Sequence, residues 1–114
     1  MDWLIKQTII CPKTASAYSV ATQIRTDRKL ILYYHGNYFM WKGNVLTVGP
    51  FGLIVNGRPP ELKILHTMPY SDYLWETLKQ HIQCPGNNDP YLRKCERRAE
   101  CIFKECPYGL PSAS

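Results

Sequence analysis

Leu30-Ile31-Leu32-Tyr33-Tyr34-His35-Gly36-Asn37-Tyr38-Phe39-Met40-Trp41-Lys42-Gly43-Asn44-Val45-Leu46-Thr47-Val48 is the stretch on which the fold turns. Three β-prone runs, 30–34, 38–41 and 45–48, are separated by His35-Gly36-Asn37 and Lys42-Gly43-Asn44. Gly and Asn tolerate the positive φ of tight hairpin turns, so the stretch reads as an antiparallel meander. Upstream, 3–10 is an apolar run closed by Cys11-Pro12, and 17–25 alternates, with Tyr18, Val20, Thr22 and Ile24 on one face. Downstream, 51–55 meets Asn56-Gly57, a two-residue hairpin signal, and Pro59-Pro60 delays a return strand at 61–65 that belongs at an edge.

After Pro69 the apolar period changes from 2 to 3.6. Ser71 is placed to accept from the first free amides of a helix, Asp72 favours its positive end, and Leu74, Trp75, Leu78, His81 and Ile82 share a stripe, which predicts a helix over 72–83. Asp89-Pro90 repeats the cap-then-proline start, and Leu92, Cys95, Ala99, Ile102 and Cys106 recur at helical spacing, predicting a second helix over 90–104. Residues 107–114 read as a tail. The expected fold is α+β: one domain, 1–114, with an antiparallel meander sheet of about five to seven strands in residues 3–67, covered on one face by two C-terminal helices.

Composition agrees with a domain that folds alone, because 114 residues with 45% hydrophobic and 20% charged content are too apolar for disorder. No run of about 18 apolar residues is present to span a membrane. Asp2 stands where a secretory signal carries basic residues, and Lys6 and Gln7 break the apolar run, so a cytoplasmic or nuclear location is expected rather than secretion.

Fourteen Lys and Arg against nine Asp and Glu give a formal charge of +5 and a pI near 9.0. Aromatic residues crowd the 30–48 stretch beside cations. Aromatic side chains on an open sheet can stack unpaired bases while cations release backbone counterions, which points to single-stranded nucleic acid. The residues expected to carry this are Lys29, Tyr33, Tyr38, Trp41, Lys42 and Arg58, with Arg93, Lys94 and Arg97 adding a basic patch on the second helix. Alternate aromatics in strands must also face a core, and Glu96, Glu100 and Glu105 are placed to neutralise the helical cations. The alternative is a protein-protein adaptor or inhibitor, of the small accessory type that compact viral genomes encode, using aromatic and Arg anchors on an acidic protein surface.

Four of five cysteines fall late, as Cys84, Cys95, Cys101 and Cys106, with His81 just upstream. Together they form a candidate zinc set, with long-range disulfides and simple buried thiols as the other readings. The spacing lacks the close C-x2-C pairs of a zinc knuckle. In one unbroken helix Cys95 and Cys106 would stand about 16 Å apart, so a shared metal requires that helix to stop near residue 100. Enzyme chemistry ranks last: phosphate-loop, dinucleotide, nucleophile-elbow, zinc-protease and deaminase signatures are all absent from the sequence.

Overall fold

Strand β1 (Asp2–Cys11) runs through the middle of a curled antiparallel sheet in a computed structural model of the chain. The structure describes residues 2–36, 38–50, 52–58, 61–82, 84–88, 92–95, 101–103 and 106–110. Among them are β2 (Ser16–Gln23), β3 (Lys29–Gly36), β4 (Val45–Gly49), β5 (Gly52–Val55) and β6 (Leu62–Pro69), in spatial order β5-β4-β1-β2-β3-β6. The curled sheet forms a half-barrel with β5 and β6 at its edges.

The meander expected over 30–48 is therefore displaced. The up-and-down unit is β1-β2-β3, and β4 pairs with the far side of β1, setting Trp3 opposite Leu46. Residues 38–41 form no strand. Met40 is fully buried, its N–H donates to the Tyr34 hydroxyl at 3.0 Å, and its carbonyl accepts from Tyr34 Oη at 3.4 Å and from Thr8 Oγ1. Side chains thus satisfy a buried backbone that a ladder would otherwise have to satisfy, and this lets the chain cross from β3 to the other flank of β1.

Asn56-Gly57 does make the tight turn the dipeptide predicts, with φ of 51° and 82°, closed by paired hydrogen bonds between Val55 and Arg58. The return strand then leaves β5. β6 pairs with β3 instead, extends to Pro69, and lies at an edge as expected. Pro59 and Pro60 lie outside the described residues.

A bulge at Lys6 decides which face each β1 side chain serves. Ile5 pairs with Ala21 and Gln7 with Val20, so Lys6 is the extra residue and the alternation flips across it. Trp3, Ile5 and Ile10 join one core with Ala17, Ala21, Leu32, Tyr34, Met40, Leu46 and Val55. Ile9 turns to the opposite face and joins Val20, Ile31, Trp75 and Ile82. The second face is covered by α1 (Asp72–His81), whose start is capped as predicted: the Leu74 N–H donates to Ser71 Oγ at 3.0 Å. Trp75 is buried there, an apolar contribution of roughly 2–3 kcal/mol, and its indole N–H donates to Gln7 Oε1 at 2.8 Å.

The second predicted helix is corrected. Among the described residues a single turn, α2 (Pro85–Asn88), follows α1, and the described residues of 90–104, namely 92–95 and 101–103, are not helical. Individual tertiary contacts have overridden the 3.6 pattern. Cys95 is buried, the Ile102 N–H donates to the Pro12 carbonyl, and Phe103 packs edge-on against Phe39 at 5.5 Å. Ile102, which a helical seam would bury, is 60% exposed. The first sheet face is consequently covered by irregular chain, with Phe39, Trp41, Phe103 and Tyr108 lying over its core.

Candidate binding cleft

A cleft of about 500 Å3 opens beside the β1 bulge. Its walls are Lys6 to Ile9 of β1, Trp41 and Lys42 of the crossing segment, Lys79 of α1, Gly86 and Asn87 of α2, and Leu92, Tyr108 and Leu110. Each element is fixed by a contact already forced by packing or hydrogen bonding. The crossing segment is tied to Tyr34 and Thr8, and its turn is held by the Trp41 N–H donating to Asn44 Oδ1 at 2.7 Å.

Asn87 fastens the C-terminal chain to the sheet. Its Oδ1 accepts from the Ile10 N–H at 2.8 Å and its Nδ2 donates to the Ile10 carbonyl at 2.9 Å, so the amide stands in for a neighbouring strand peptide. The Tyr108 hydroxyl donates to the same Oδ1. Tyr108 lies over Gly86, where a Cβ would collide with its Cδ2 edge, and its ring centroid is 5.1 Å from that of Trp41. Burial, with Cys84 and Cys106 adding to it, pushes the Tyr108 phenol above the usual tyrosine range, so it stays neutral and donating near neutral pH.

The electrostatics of the cleft are one-sided. Lys6 and Lys42 are exposed and have no acidic partner among the described residues, while Lys79 is 3.2 Å from Glu76 on its own helix. Among the described residues no acidic side chain lines the cleft. Trp41, Tyr108, Leu92 and Leu110 supply an apolar interior beneath this cationic rim. Such a recess can seat an apolar group beside negative charge; its lining holds neither a histidine nor a cysteine.

The residues expected to hold nucleic acid are dispersed. Trp41 and Lys42 reach the cleft, but Tyr33 stacks on Tyr18 at 4.6 Å, and Tyr18 packs with the α1-side core. Lys29 lies over the Tyr70 ring at 5.4 Å. Tyr38 is partly exposed near Asn44, Arg58 closes the β5 turn, Arg93 and Lys94 are exposed, and Arg97 lies outside the described residues. Sequence reasoning missed Lys6, Asn87, Leu92, Tyr108 and Leu110, because a bulge leaves no motif and the others are joined only by the tertiary fold.

The candidate metal residues are equally legible in place. His81 is exposed at the end of α1, Cys95 is buried, and Cys84, Cys101 and Cys106 are half-buried free thiols. Without the long helix the 16 Å objection disappears, yet no group of three or more His, Cys, Asp or Glu able to hold a metal occurs among the described residues. Burial pushes the Cys84 thiol up, opposed by a hydrogen bond from the Gly86 backbone and reinforced by Cys106, Cys95 and Cys101. No helix among the described residues is long and apolar enough to cross a membrane.

Comparison with known proteins places this geometry in context. Residues 1–76 match the IraM/PmrD family. The chain is 38% identical over 109 residues to the anti-adapter protein IraM of Citrobacter koseri, covering 96% of this chain and 95% of the relative. It is 29% identical over 114 residues to the anti-adapter protein IraM of Escherichia coli O127:H6, covering 100% of this chain and 99% of the relative. The crystal structure of E. coli PmrD superposes with a TM-score of 0.62 at 18% identity, covering 73% of this chain and all of that one.

Proposed function

The chain belongs to the IraM/PmrD family, and from that premise we propose that it is a non-enzymatic regulator of the anti-adapter type, which binds an adapter protein and withholds it from its client. The observation that carries this reading is the span of the resemblance: the anti-adapter relatives match it over 96% and 100% of its length, including the cleft's C-terminal wall, and not over the sheet alone. The surface agrees. The expected nucleic-acid residues are divided between the two faces and several are engaged in internal stacking, whereas the cleft combines aromatic anchors with cations, the composition of a protein-protein hot spot. Of the two functions the composition suggested, the protein-protein reading has the support, and the bacterial relatives leave a nuclear location without a counterpart.

The test is direct. The purified chain is titrated calorimetrically into the adapter protein that the E. coli IraM relative opposes, and the adapter's delivery of its client is followed in parallel. Saturable 1:1 binding that suppresses delivery supports the reading; delivery unaffected by an excess of the chain defeats it. A mobility shift with single-stranded RNA at two ionic strengths is the companion measurement, and RNA binding whose affinity falls steeply as salt rises would restore the nucleic-acid reading.

A further inference from the structure

We infer that the cleft is the subsite that receives the partner, and that what it takes is an acidic segment carrying one large apolar side chain; this rests on the anti-adapter reading and specifies its chemistry. Three observations converge. First, charge: Lys6 and Lys42 stand exposed at the rim without acidic partners among the described residues, Lys79 adds a third cation shared with Glu76, and no acid lines the cleft among the described residues. Cations held above an apolar recess favour a ligand that brings negative charge next to an anchor.

Second, size and lining. At about 500 Å3 the recess lies within the range of sites that enclose a compact group, roughly 300–1,000 Å3, rather than the long groove that a whole helix needs. Trp41 and Tyr108 offer ring faces, and Leu92 and Leu110 offer aliphatic contact, which together suit an aromatic or branched side chain.

Third, the origin of the walls. The family match stops at residue 76, and roughly a quarter of the chain has no counterpart in the superposed PmrD structure, which is itself spanned completely. Gly86, Asn87, Leu92, Tyr108 and Leu110 all come from beyond residue 76, in a region the anti-adapter relatives share along their length. The sheet is thus the common scaffold, and the C-terminal chain, pinned by Asn87 to Ile10, closes a cleft against the stretch of β1 beyond its pairing with β4. Lys6, the extra residue of the β1 bulge, lines the cleft.

The experiment uses the full chain and the same purified adapter protein. In an amide-correlation NMR titration of the labelled chain, the expected shifts fall on Lys6 to Ile9, the Trp41 indole, Leu92 and Leu110, while β6 residues such as Lys63 and Thr67 stay in place. The Lys6→Glu/Lys42→Glu double variant should bind roughly tenfold or more weakly, with a shallower salt dependence, whereas Lys63→Glu on the β6 edge binds within about twofold of the parent. Adapter binding by the parent chain with shifts confined to β5 or β6, or with the double variant unimpaired, overturns the cleft assignment and leaves the anti-adapter reading standing. Failure of the parent chain to bind the adapter removes both. If the double variant is misfolded, the titration of the parent chain decides alone.

Discussion

Replacing Tyr34 by phenylalanine removes one oxygen from the most heavily used polar group in the core. The Tyr34 ring is 0% exposed and its hydroxyl meets Ser19 Oγ at 2.8 Å, accepts from the Met40 N–H at 3.0 Å and donates weakly to the Met40 carbonyl. In the Tyr34→Phe variant the ring still fills its site, so no cavity of consequence forms. Ser19 retains Thr8 at 2.7 Å and the Met40 carbonyl retains the Thr8 hydroxyl. The Met40 N–H retains nothing. One orphaned buried amide costs about 1–3 kcal/mol, and about 2 kcal/mol is the expected loss. With a urea dependence of roughly 1–2 kcal/mol per molar, the midpoint of unfolding should fall by about 1–2 M. Because Met40 precedes Trp41, amide exchange in residues 38–42 should accelerate more than in β1 or β2. A loss below about 0.5 kcal/mol, or a uniform rise in exchange, would refute the claim that side chains hold the crossing segment.

Three further outcomes follow from the same contacts. Gly86→Ala drives a Cβ into the Tyr108 ring and should expel that ring from Trp41, seen as a changed tryptophan emission and a weakened cleft, with the sheet's circular dichroism retained; unchanged emission would count against the tilted ring contact. Burial raises the Tyr34 phenol above its ordinary value of 10.0, and a group whose folded pKa exceeds its unfolded one stabilises fully below the unfolded value and loses that contribution as pH rises through the folded one. Stability measured by urea should therefore be level from about pH 7 to 9 and decline above about 10, less steeply in Tyr34→Phe. Cys84, raised by burial, should react with iodoacetamide several-fold more slowly at pH 7.5 than a cysteine in a short peptide and at the peptide's rate in urea, as peptide mapping would show; rapid labelling of the folded chain contradicts its burial.

Local chemistry was legible from the residues themselves. Ser71 caps α1 because its hydroxyl needs only the amide three positions on. Asn56-Gly57 turns because both residues accept positive φ, and the apolar runs became strands where alternation or β-branching favoured them. Pairing was not legible. A strand's apolar face says that it must be covered, not by which neighbour, so 45–48 could be read equally well as the partner of 38–41 or of β1. The choice was made by the hydroxyls of Thr8 and Tyr34, which stand 32 and 6 residues from Met40 in sequence.

The same division holds for the site. Trp41 and Lys42 were visible as an aromatic beside a cation, but their companions Lys6, Leu92 and Tyr108 carry no spacing that announces them. The C-terminal residues had helical periodicity, and periodicity describes a face without supplying a surface for it; Asn87 on Ile10 and Phe103 on Phe39 supplied a different one. From the chain alone came the β-rich class, the capped helix, the basic charge and the possibility of a protein partner. Strand order, the bulge that flips β1 and the cleft built over it came only from the folded molecule, because each depends on contacts between residues far apart in sequence whose energies are comparable with the local preferences they overrule.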